Sequence, residues 1–361
     1  MSEALETWVD AAIGETREAL VRDGRAIALR VVRTSDEGRR ARWGELYCAR
    51  VTQVDRRRRG AYLDLGLRDQ QGFLALDSES RARIAKRDQV ALSEGMGVVV
   101  SIVREAARGK NPVLELVEIG HDGEAPHRMA QHDCDLEIAN AKPADPATRS
   151  KLDAAIEDAL SRTAPIPGGG ALTIEPCAAL VAIDVDAGGR GGTHDPERFA
   201  LELNLAAAAE AARQIRLRSL GGIIAIDFVS MRAKSHGVQL EQAVKAAFAS
   251  DPWSTNFGAL SRFGVFELSR AQLRSPLHEV LLDDERKPST ETIALSALRA
   301  IEREARAVTG RQIGCTVSPE VKAWLDAAEF GWRAELNNRI GMRWALEAAP
   351  GPRDKIDVRA P

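Results

Sequence analysis

No apolar run in these 361 residues approaches the ~20 that a helix needs to cross a bilayer, so a helical membrane span is excluded. The opening stretch MSEALETWVDAAIGETREAL lacks the basic-then-apolar layout of a secretory signal, and the expected location is cytoplasmic. The four cysteines, Cys48, Cys134, Cys177 and Cys315, form no CxxC pair. That argues against a zinc knuckle, a thioredoxin-type site or a disulfide framework and leaves buried, reduced thiols as the expectation. Aromatic residues are scarce, at 4%, and no internal repeat is apparent. A net charge of −3 shows no strong bias of either sign, so the molecule as a whole is not a polyelectrolyte partner for nucleic acid.

Charge is nonetheless unevenly distributed. Between Arg17 and Arg59 thirteen arginines stand against six acids. A local excess within a near-neutral chain is the form that a nucleic-acid footprint takes, although such runs also serve as solvated faces. From Trp43 the pattern becomes short strands separated by turn residues: GELYCARVTQVD, RGAYLDLGL, QGFLAL, GMGVVVSIVRE and NPVLELVEIG. Five strands at this spacing predict a small closed barrel of the OB type, a common nucleic-acid platform.

Residues 120–170 are polar and broken by proline and glycine, and read as a linker followed by a short helix, KLDAAIEDALSR. The Gly168–Gly170 triplet lacks the lysine and the strand–loop–helix setting of a phosphate-binding loop, so a hairpin turn is expected there. Next come a strand over 178–185, a glycine-rich loop at 187–193, and a helix with Asp195 as N-cap and Pro196 at its first position. Gly221 and Gly222 should end this helix, before a strand over 222–228. Such a strand–helix–strand unit places its two apolar strands parallel and adjacent. A helix at 237–249, a strand at 258–269, a polar break at 274–288, a helix, a strand, a helix near 319–328 and a final strand RIGMRWALEAA complete the chain.

The two adjacent strands carry the chemistry. ALVAIDVDAGG runs into Asp184 and Asp186, and LGGIIAIDFVSM runs into Asp227. Carboxylates at the C-terminal ends of neighbouring strands lie where open α/β sheets bind ligands, and they repel each other unless a cation or shared proton neutralises them. A hard divalent ion such as Mg²⁺ suits the pair and keeps waters for contact with phosphate; loop capping is the plainer alternative. Arg213, Arg216 and Arg218 sit on the helix's last turns, where they fit either a phosphate or the helix dipole. Asn204, unfavourable mid-helix, is a candidate to aim its amide at the acids. SRFGVFELSR places Arg262, Glu267 and Arg270 around an apolar strand, and surface ion pairing is expected of them.

Taken together, AIDVDAGG, LNLAAAAEAARQIRLRSLGGIIAIDF and SRFGVFELSR resemble the catalytic core of the ribonuclease E/G family, and the barrel segment resembles that family's RNA-binding OB module. The likeness covers about residues 25–118 and 165–361. It implies an α/β multidomain protein. An N-terminal strand region (1–40) would pack on the catalytic part, beside an OB-fold RNA-binding barrel (41–119) and a reduced sensor and RNase H-like region (120–165). A DNase I-like catalytic subdomain (166–275), a zinc-link remnant (276–288) and a small C-terminal α/β domain (289–361) would follow. It further implies an endoribonuclease acting on single-stranded RNA, with Mg²⁺ held by Asp184 and Asp227 and metal-activated water leaving 5′-phosphate and 3′-hydroxyl ends. Tyr62, Phe73 and Lys110 match the family's RNA-contacting positions, and Asn204, Arg213 and Arg216 are further candidates for RNA contact.

Three departures stand out. Asp186 replaces the family's asparagine and joins the catalytic candidates; the 5′-phosphate-sensing signature VRTAG has no counterpart in 120–165; and LRSPLHEVLLDDERKPST lacks the zinc-link cysteines. A zinc-linked dimer is therefore not expected, and a monomer or a dimer with another interface is. The competing expectation is an RNA-binding protein of the same family with a vestigial active site.

Overall fold

The computed structural model describes residues 5–76, 92–107, 109–121, 123–130, 142–189 and 195–360. Three antiparallel strands open the chain: β1 (Leu5–Ala12), β2 (Glu15–Arg22) and β3 (Arg25–Arg33). Asp23 and Gly24 join the last two with φ of 51° and 73°, the pair of positive angles that a two-residue hairpin turn demands. Ala19, Val21, Ala26 and Leu29 of this meander pack with Leu152, Leu217, Leu277 and Leu281 from three later helices.

β4 (Leu46–Asp55), β5 (Gly60–Asp64), β6 (Gln71–Ala75), β7 (Gly97–Arg104) and β8 (Val113–Ile119) close into a five-stranded barrel consistent with an OB fold. Its pairings are antiparallel apart from β6 with β8. Strand alternation sends Tyr47, Ala49, Val51, Leu63, Leu74, Val100 and Leu116 inward. The expected linker is more structured than its composition implies. β9 (His127–Ala130) pairs with the first half of β4, α1 runs over Pro146–Leu160, and β10 (Thr163–Pro165) follows. Residues 131–141, with Cys134, lie outside the described residues.

β10, β11 (Ala171–Pro176), β12 (Val181–Asp186), β13 (Gly222–Asp227), β14 (Thr255–Leu260) and β15 (Val265–Arg270) form a second sheet in the order β10-β11-β12-β13-β15-β14. The glycine triplet makes the expected hairpin turn between β10 and β11, all three residues having positive φ. The 258–269 strand is instead a hairpin. Ser261 Oγ accepts from the Phe263 and Val265 amides, and Gly264 at φ 89° reverses the chain. Helices α2 (Pro196–Leu217) and α3 (Lys234–Ala247) cover one face of this sheet. Asp195 caps α2 by accepting from the Arg198 amide. The helix stops before the glycine pair, because Ser219 itself adopts φ 54°.

The C-terminal part comprises α4 (Leu277–Leu281), α5 (Thr290–Ala307), β16 (Ile313–Val317), α6 (Pro319–Ala327), α7 (Trp332–Ile340), β17 (Trp344–Ala348) and β18 (Asp357–Arg359), with the sheet order β17-β16-β18. RIGMRWALEAA is therefore not all strand: its first two residues finish α7, and Gly341 at φ 76° ends that helix. Among the described residues no helix is long and apolar enough to cross a membrane.

Candidate functional site

β12 and β13 are parallel neighbours, and their register sets Asp184 directly beside Asp227. Residues in register on adjacent strands point to the same side, with strand axes about 4.8 Å apart. Ile183, Val185, Ile224 and Ile226 take the opposite side and are buried beneath α2 and α3. The acids consequently stand on the uncovered face, and Asp184, Asp186 and Asp227 are all exposed. Asp186 accepts from the Gly188 amide at 2.9 Å. Among the described residues, neither Asp184 nor Asp227 is paired with a cationic side chain. Two exposed carboxylates side by side, with no counter-charge among the described residues, are a donor set that fits a hard divalent cation.

Two residues that the sequence reading did not place at the acids, Glu267 (expected in a surface ion pair) and Phe263, border the pair. Glu267 opposes Ala225 in the β13–β15 ladder, on the same face as Asp227, and is exposed; no surface ion pair engages it among the described residues. Phe263, 71% exposed in the β14–β15 turn, carries the Arg262 guanidinium over its ring at 4.6 Å. The Phe228 amide, next to Asp227, donates to the carbonyl of the following Gly264. An exposed aromatic in a tight turn beside paired acids was the available signal for Phe263.

Asn204 is corrected from an RNA contact to a structural clamp. It is fully buried, its amide donating to the Val229 carbonyl at 2.7 Å and accepting from the Val229 N–H at 3.0 Å. That clamp fixes the backbone two residues beyond Asp227. The arginines of α2 are corrected likewise. Arg213 is 8% exposed and bonds Glu210, Asp158 and the Ala26 carbonyl; these partners hold it charged against its burial. Arg216 donates to the Ala247 carbonyl, and burial pulls its pKa down. Arg218 donates to the Ser161 carbonyl, and burial brings it down to about 10. Arg270 is buried as well, bonded to Asp251 and stacked on Trp253.

On the barrel, Tyr62 and Phe73 face outward while Ala61, Leu63 and Leu74 fill the interior. The two rings are cross-strand partners in edge contact, with centroids 5.4 Å apart. Gly60 makes room for this, since a methyl there would come within 2.3 Å of the Phe73 ring. Arg58 donates to the Tyr62 hydroxyl. Lys110 is exposed at the end of the β7–β8 loop, and Pro112, two residues on, accepts from the Phe73 amide. The structure thus gathers Tyr62, Phe73, Lys110 and Arg58 on one part of the barrel wall. The barrel is fastened to the second sheet's end through Glu105, whose carboxylate accepts from the Trp43 and Ser275 amides and whose own amide donates to Leu273.

Of the cysteines, Cys48 and Cys315 are buried as expected, whereas Cys177 is exposed in the turn after β11 and departs from that expectation.

Residues 122–273 match the model of the ribonuclease E/G family. The chain is 35% identical over 184 residues to ribonuclease E of Escherichia coli, 48% of this chain and 17% of that protein. It is 30% identical over 200 residues to ribonuclease G of Haemophilus influenzae, 53% of this chain and 41% of that one. A chloroplastic ribonuclease E/G-like protein of Arabidopsis thaliana is 41% identical over 128 residues, 34% of this chain and 13% of the plant protein. The chain thus matches less than half the length of each of these relatives, and the region matched by the family contains the paired acids, α2 and the β14–β15 hairpin.

Proposed function

We propose, from this kinship with the ribonuclease E/G family, that the chain is an endoribonuclease that cleaves single-stranded RNA and holds Mg²⁺ between Asp184 and Asp227. The observation that carries this is the register of β12 with β13, which sets two carboxylates side by side on an open sheet face, neither paired with a cationic side chain among the described residues. The sheet with α2 and α3 is read as a DNase I-like subdomain, and the barrel as its RNA-binding OB module. A bound ion would supply charge neutralisation at the scissile phosphate and would polarise a water towards attack on phosphorus, the reading that goes with 5′-phosphate and 3′-hydroxyl ends. Asp184 and Asp227 hold and orient it, and Asp186, anchored by the Gly188 amide, adds negative charge at the same strand end. Asn204 keeps the segment after Asp227 in place. Tyr62 and Phe73 offer π-faces to bases of any identity, and Lys110 offers charge to the backbone, which suits a strand bound with little sequence preference. Cytoplasmic action as a monomer, or as a dimer without a zinc link, is part of this reading.

The test is cleavage of a labelled single-stranded RNA by the purified chain, with and without Mg²⁺, alongside Asp227→Asn. Metal-dependent cleavage that disappears in the variant is the expected result. RNA bound but left intact by both proteins would replace the enzyme with an RNA-binding protein whose acids are vestigial.

A further inference from the structure

We propose that Cys48, Glu124 and His127 form a second, separate metal site, one for a thiophilic divalent ion of the zinc class, where β9 joins β4 on the outside of the barrel. The thiol sulfur, a carboxylate oxygen and an imidazole nitrogen all lie within 4.8 Å of one another. They come from two strands and a connecting loop. Cys48 sits between Tyr47 and Ala49, both of which point into the barrel core, so its own side chain points outward. It is nevertheless only 1% exposed. In the β4–β9 ladder Cys48 is the register partner of His127, which brings thiol and imidazole to the same side of the sheet.

The surroundings orient the ligands. His127 Nδ1 lies 2.8 Å from the Ala125 carbonyl, a contact that requires the proton on Nδ1 and leaves the Nε2 lone pair available. Arg50 donates to the Glu124 carbonyl at 2.7 Å and to the Gly95 carbonyl at 3.0 Å, fastening the loop that carries the carboxylate. A fourth donor stands close by, with His121 Nδ1 3.7 Å from the Glu124 carboxylate. Sulfur, imidazole and carboxylate together suit Zn²⁺ and discriminate against Mg²⁺, which prefers oxygen ligands only. Binding breaks the S–H bond, forms a sulfur–metal bond and releases the proton to solvent. The ion would staple β9, a strand of four residues, to the barrel edge.

Titration of the whole chain with Co²⁺ as a spectroscopic stand-in tests this. One ion per chain should bind with a thiolate-to-cobalt charge-transfer band, be displaced by Zn²⁺ and ignore millimolar Mg²⁺; calorimetry in two buffers should find about one proton released. The band should vanish in Cys48→Ser and persist in Cys177→Ser. Glu124→Gln and His127→Ala, at exposed positions that do not support the barrel core, should weaken binding at least ~10-fold. Zn²⁺ should raise the melting temperature of the parent chain and not that of Cys48→Ser. Absence of a band, a band that survives Cys48→Ser, or unchanged affinity in both exposed variants would overturn the site.

Discussion

Two regions of the molecule gather carboxylates, and they treat them in opposite ways. Where β1 and β2 meet α1, α5 and α7, each buried acid is matched by arginine. Asp10 bonds Arg17 at 2.7 Å and Arg149 at 2.8 Å, Glu15 bonds Arg299, and Glu302 is ringed by Arg149, Arg306 and Arg339. On the open face of the second sheet, Asp184, Asp186, Asp227 and Glu267 share a surface without one arginine or lysine partner among the described residues. Burial explains the first arrangement, since an unpaired interior charge costs several kcal/mol. Solvation permits the second but does not produce it, because adjacent strands bearing acids in register are mutually repulsive. Matched acids therefore serve the fold, and unmatched ones leave room for a cation from outside.

Removing one member from each region should separate stability from activity. Arg149→Ala strands Asp10 and Glu302 with part of their counter-charge gone, at a cost of about 3–5 kcal/mol in urea unfolding. Loss of under 1 kcal/mol would mean that the network is ornamental. Asp184→Asn should do the converse: RNA cleavage falls ~100–1000-fold, and the melting temperature holds or rises slightly as repulsion is relieved. A variant that unfolds, or one that cleaves normally, would erase the distinction.

The same contrast has a pH signature. Burial alone would raise the Asp10 pKa, but bonds from Arg149, Arg17 and the Ala144 amide outweigh it and hold the group at about 2, below its ordinary 3.8. Because the folded value is the lower one, the stabilisation is complete above the unfolded pKa and drains away as pH falls from about 4 towards 2. The amount is on the order of 2 kcal/mol. Urea midpoints between pH 5 and pH 2.5 should drop more steeply for the parent chain than for Asp10→Asn; parallel curves would contradict the pairing.

Much of the acid face was legible in the sequence, because apolar alternation, the Asp195 cap and the strand–helix–strand spacing are local signals that act together. The arginines were not. Arg213 and Arg218 look poised for phosphate on a helical wheel, yet they turn towards Asp158 and Ser161, partners more than fifty residues away whose approach no local pattern announces. The N-terminal meander was only partly read, although Asp23-Gly24 between alternating strands is a strong hairpin sign. Cys48, Glu124 and His127 illustrate the remaining gap. Their meeting depends on a strand added to a barrel edge, a pairing decided by tertiary packing and not by spacing along the chain.

The barrel wall sharpens the comparison from its positive side, with smaller effects. Tyr62→Ala and Phe73→Ala should each cost about 1–3 kcal/mol in single-stranded RNA affinity, and Phe263→Ala should fall in the same range if the strand passes the acids. Lys110→Ala should be the mildest. Its ammonium is solvent-exposed, and loss of one phosphate contact should lower the slope of log affinity against log salt by roughly 0.7 for a single strand. An unchanged slope would place Lys110 off the path of the RNA. Arg213→Ala provides the control: an arginine already committed to Glu210 and Asp158 should alter stability and leave the salt slope as it was, because no phosphate waits for it.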